Sequence, residues 1–178
     1  YLAALTPGTN YEYRVGYGDR RSEWYPLRTA DGADFKALIF PDSQSADYGV
    51  WRDTAMPAWE RNKDAQFFIN MGDLVDNGQA SYQWNAWFDA CEDMICQIPV
   101  APLDGNHETY DLNWNMHMPV SYTTLFDLPK NGLSKYPNQF YSFDYGDIHF
   151  TVMDTQFTEL KDFEPTLLDE ETTWLRSE

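Results

Sequence analysis

The sequence predicts an α/β fold preceded by the last strands of a β-sandwich. Three observations carry that prediction. Three apolar runs, 35–42, 67–73 and 98–107, are each bounded by turn residues, the mark of a buried strand. Helical patterns separate them, and strand–helix alternation builds a parallel sheet. Residues 1–30 differ in kind: Tyr11, Tyr13, Val15 and Tyr17 alternate with Glu12, Arg14 and Gly16, the period of a half-buried strand.

Taken in order, Thr6-Pro7-Gly8-Thr9 makes a turn before that strand, and a second strand is predicted around Trp24 to Thr29. Between the first two apolar runs, Val50, Trp51, Ala55, Ala58 and Trp59 predict a helix that Pro57 should break or kink. A clearer helix follows the second run. Trp84, Trp87, Phe88, Cys91 and Ile95 fall at helical spacing, and Gln83, Asn85, Asp89, Glu92 and Asp93 fill the other face. Residues 108–139 are loop-rich, with Pro119, Pro129, Gly132 and Pro137. The stretches 141–145 and 148–153 flank Gly146-Asp147 as a β-hairpin. A helix is predicted around Glu170 to Arg176.

A chain of 178 residues can bury one sizeable core. Its 43% hydrophobic and 17% aromatic content excludes disorder by composition. No apolar run reaches the ~18 residues of a membrane span, and Tyr1 to Leu5 lack the basic start of a signal peptide. The net charge of −17 repels nucleic acid phosphates, which argues against groove binding. It is no obstacle to a phosphate ester where a local cation overrides the global field. Cys91 and Cys96, the two cysteines, are expected as free thiols.

Each apolar run ends in a metal-friendly polar group: Asp42, Asp73, and Asn106-His107. In open α/β sheets, ligands sit just past the carboxyl ends of the strands, so all three can reach one rim. Oxygens converging there suit divalent cations. Gly72 lets the chain turn, and the Asp73 carboxylate can then bridge two ions roughly 3.5–4 Å apart. Alone, the same residue would cap a helix or bond its own backbone.

The order Asp42…Gly72-Asp73-Leu74-Val75-Asp76…Gly105-Asn106-His107-Glu108 resembles the calcineurin-like metallophosphoesterases, a superfamily that includes the purple acid phosphatases. The resemblance covers 34–178 and implies part of an α/β/β/α sandwich. It implies two divalent ions (Mn, Zn or Fe) and hydrolysis of a phosphate monoester or diester by metal-activated hydroxide. Asp42 and Asn106 would each hold an ion, Asp73 would bridge, His107 would aid the leaving group, and the Asp76 carboxylate would orient His107. Glu108 would be structural. Most members carry Asp-x-His or Asp-x-Gly where this chain has Asp42-Ser43-Gln44, so Gln44 either supplies an amide oxygen or points away. The purple members place a tyrosine at the position of Asp76, and that tyrosine gives their iron its colour.

His117 is expected as a loop or packing residue, and His149 as packed and hydrogen-bonded. The family's later histidines, including a Gly-His-x-His, do not occur here, so the chain is expected to be a piece of a longer protein with an impaired site. The pattern Leu5-x-Pro7-Gly8-Thr9-x-Tyr11-x-Tyr13-Arg14-Val15 resembles the end of a fibronectin type III domain. That pairing implies an extracellular or cell-surface protein. A rival reading is a non-catalytic surface module with a decayed metal site, whose exposed-looking Tyr110, Trp114 and Tyr122 stack on sugars.

Overall fold

A computed structural model describes residues 4–32 and 34–178. The opening stretch read for a signal peptide lies partly outside these. In chain order the elements are β1 (Asn10–Tyr13), β2 (Gly16–Tyr17), β3 (Arg20–Arg21), β4 (Tyr25–Arg28), β5 (Ala37–Phe40), α1 (Gly49–Arg61), β6 (Phe67–Met71), α2 (Ser81–Ala90), α3 (Glu92–Ile95), β7 (Val100–Leu103), a 3₁₀ turn (His107–Thr109), α4 (Val120–Leu125), β8 (Tyr141–Tyr145), β9 (Ile148–Val152) and α5 (Leu167–Leu175).

The three apolar runs become β5, β6 and β7, parallel neighbours in that order. Phe40 pairs opposite Asn70, and Asn70 opposite Pro102, so the three strands end at one level. Successive side chains leave a strand on opposite faces. Phe68 joins Phe40 and Trp51 beneath α1 and α2, where Trp51 and Trp87 stack at 6.0 Å. Phe67 points the other way, onto Phe143 and Phe150 of the β8–β9 hairpin. Helices cover one face and a second antiparallel layer covers the other, which is the α/β/β part of the expected sandwich.

The N-terminal strands pair β1 with β4 and β2 with β3, both antiparallel. The alternating run 11–17 is not one strand. It breaks after Tyr13, and Tyr17 stands 91% exposed, with no second layer over this ribbon among the described residues. Tyr13 instead anchors the ribbon, its hydroxyl donating to the Cys96 carbonyl at 2.8 Å.

Several local expectations need correction. α1 runs through Pro57. Pro57 sits on the exposed face, so the Asp53 carbonyl freed by the missing N–H meets water. The helix predicted through Ile95 breaks at Cys91, whose φ of −117° ends α2 before α3 begins. Cys91 and Cys96 are free thiols, and burial pushes the Cys91 thiol up to about 12. Tyr122 is fully buried rather than exposed. Its hydroxyl donates to the Pro102 carbonyl, which clamps α4 against β7. His149 is hydrogen-bonded to Asp144 at 2.7 Å but is exposed, not packed. No helix among the described residues is long and apolar enough to cross a membrane.

Candidate metal centre

The loops after β5, β6 and β7 meet beyond the carboxyl ends of the sheet. The Gln44 N–H donates to the Asp73 carbonyl at 2.9 Å, tying the first loop to the second. The His107 N–H donates to Asp73 Oδ1 at 3.1 Å, tying the second to the third. Gly105 makes that approach feasible. A Cβ there would lie 2.1 Å from Asp73 Oδ1. Asp42 and Asp73 both adopt the left-handed region, with φ of +45° and +50°. Short polar side chains tolerate this better than most. Asp42 lies exposed at the rim, two residues past the end of β5.

Glu108 holds the arrangement from below. It is buried, and its carboxylate accepts N–H groups from Asp73 (3.0 Å), Leu74 (2.8 Å), Val75 (3.2 Å) and Gly105 (2.7 Å). Burial pushes its carboxyl up to about 8, although the amide donors pull it down. The expectation that Glu108 is structural fits these contacts. Next to it, Asp104 is buried with neither oxygen hydrogen-bonded. Burial, then the nearby Asp154, hold its carboxyl well above the usual range.

His107 Nδ1 lies 2.8 Å from the Asp76 carbonyl oxygen, which can only accept. The ring therefore carries its proton on Nδ1, and Nε2 is left for other chemistry. The Asp76 carboxylate is 3.6 Å away, beyond a hydrogen bond. The ring's hydrogen bond thus goes to the main chain of Asp76, and the Asp76 carboxylate lies within ion-pair distance of the same nitrogen.

Three further residues belong to the site. Tyr110 accepts from Asn106 Nδ2 at 3.2 Å, which commits the nitrogen and leaves the amide oxygen as the free end. The 3₁₀ turn brings Tyr110 back beside Asn106. Tyr48 accepts the Asp76 N–H at 3.2 Å. Ser43 accepts from Asn70 Nδ2 and Trp87 Nε1, at 2.8 and 2.9 Å, and so pins the first loop to the core.

Do these residues fit divalent ions? Among the described residues, no three His, Cys, Asp or Glu side chains form a metal-holding group. The candidate donors on the three loops are two carboxylates, Asp42 and Asp73, and two amides, Gln44 and Asn106. Gln44 Oε1 is buried without a hydrogen-bond partner, an acceptor that a cation would satisfy. An all-oxygen set suits a hard ion such as Mn²⁺ better than Zn²⁺. As donors these four residues are of a kind that suits such an ion, and they are too few for a full shell around two.

The fold and the rim place the chain in a known class. The calcineurin-like phosphoesterase profile matches residues 35–176, and the chain belongs to that family. Purple acid phosphatase 23 of Arabidopsis thaliana is 30% identical over 71 residues, which is 40% of this chain and 15% of that protein. The structure of a purple acid phosphatase from yellow lupin (Lupinus luteus) seeds superposes with a TM-score of 0.68 at 21% identity, covering 84% of this chain and 30% of the lupin chain. The chain therefore spans a minor part of either relative's length.

Proposed function

We propose that this chain carries part of a metal-dependent phosphoesterase site, acting on a phosphate monoester or diester. Family membership supports the reaction class. The observation that carries the site is the junction at residue 73: Asp73 Oδ1 bonded to the His107 N–H, with the His107 ring fixed by Asp76. Asp42, Asp73, Asn106 and Gln44 would hold the ion. When bound, it supplies Lewis acidity to the phosphoryl oxygens and to the attacking water.

The chain's own residues do the rest. Glu108 fixes Asp73 through main-chain bonds, so the carboxylate stays in place as charge changes nearby. Tyr110 fixes the Asn106 amide. Nε2 of His107, when protonated, gives its proton to the leaving oxygen, and Nδ1 stays bonded to Asp76 throughout. The second ion that the resemblance implies would need donors beyond this set. The N-terminal ribbon, read as the close of a fibronectin-type domain, and an extracellular or surface location belong to the same proposal.

One observation favours the rival, a surface module with a decayed site: no three of the usual ligand side chains gather among the described residues. Hydrolysis of p-nitrophenyl phosphate with Mn²⁺ decides between them. Asp73→Asn should lower turnover by about 100-fold or more. Turnover untouched by that change would refute the site, and an unaltered chain that binds Mn²⁺ no more tightly than Asp73→Asn would favour the module.

A further inference from the structure

We propose that Trp114, with Tyr110 beside it, forms a platform that stacks the aromatic leaving group of an aryl phosphate next to His107; this rests on the phosphoesterase reading above. The rings stand around the imidazole. Tyr110 lies 5.4 Å from His107 and Trp114 lies 6.4 Å from it, both nearly perpendicular to it. The two rings are 5.5 Å apart and tilted 53° to each other, so the indole supplies the open face and the half-buried Tyr110 stands against it. Trp114 is 55% exposed, so it is not a core side chain.

The backbone holds the indole in this place. Trp114 has φ of +65°, a region that a bulky residue rarely enters. Asp111 enforces it: Oδ1 accepts from the Asn113 N–H at 2.8 Å and the Asn115 N–H at 2.9 Å, and the Asp111 carbonyl accepts from the Trp114 N–H at 2.9 Å. An antiparallel bridge between Tyr110 and Met116 closes the loop below. The strained conformation keeps the indole at the loop tip, next to the ring expected to protonate the leaving oxygen.

That position selects the occupant. A group bonded to the leaving oxygen must lie next to His107, and a flat π-face there favours a flat group. The net charge of −17 disfavours a polyanion, so a small ester fits better than a nucleic acid strand. Stacking supplies attraction without charge.

Calorimetry on the full chain with Mn²⁺ tests this, using phenyl phosphate, glycerol 2-phosphate and inorganic phosphate. Phenyl phosphate should bind about 10-fold more tightly than glycerol 2-phosphate. Trp114→Gly should erase that preference, and glycine suits the backbone at this position, so folding is not at stake. Trp114→Phe should keep most of the preference. Equal affinities in the unaltered chain, or a preference that survives Trp114→Gly, would overturn the platform. If no phosphate binds, inorganic phosphate included, the phosphoesterase reading fails and the platform falls with it.

Discussion

Four amide N–H groups from two loops end on one carboxylate, Glu108. Replacing it strands buried donors, each costing about 1–3 kcal/mol. Glu108→Gln keeps the shape but turns an amide NH₂, itself a donor, toward donors, and urea unfolding should show a loss of about 3 kcal/mol. Gly105→Ala should do comparable harm by a different route, since the new methyl would overlap Asp73 Oδ1. There the expected signature is weaker Mn²⁺ retention together with a lower midpoint. A third outcome concerns colour. With Asp76 where the purple members have tyrosine, iron-loaded protein should show no intense visible band, and an absorption scan checks it. At this scale the placement of Asp42, Asp73, Asn106 and His107 just past strand ends is legible in the sequence, because each follows an apolar run. Tyr110 reads there only as an exposed-looking aromatic, since its link to Asn106 depends on a 3₁₀ turn that leaves little mark in the sequence. Tyr122 misleads because its polar neighbours hide a side chain folded under β7.

The elements explain what single residues do not. The parallel sheet and the hairpin follow from periodicity, and both stand as expected. The break at Cys91 does not, because apolar spacing continues across it into α3. α5 starts earlier than its charge pattern implies, with Leu167 buried in a second small core. There the Asp154 N–H bonds Glu171 at 2.7 Å, and Gln139 bridges Asp154 and Glu164. Burial pushes Asp154 up to about 6 and Glu171 to about 7. A carboxyl whose folded value exceeds its unfolded value binds more protons when folded. Stability from this cluster is therefore full below about pH 4 and is lost as pH rises through 6 and 7. Thermal unfolding should show a higher midpoint at pH 5 than at pH 8, and Asp154→Asn should flatten that slope.

Across the whole molecule, net charge outweighs any single ion pair. At −17 the folded state repels itself, and added salt screens that repulsion beyond a Debye length of about 8–10 Å. Melting temperature should rise between low and moderate NaCl. A flat or falling curve would show that specific ion pairs outweigh the net field.

Asp42 and Asp73 both sit in left-handed geometry, which asparagine also accepts with little strain. The mildest replacement at either place removes a negative charge while the scaffold stays intact. Chemistry here is separable from architecture by a single nucleotide's worth of change, so a silent copy of this domain would look, in outline, just like a working one.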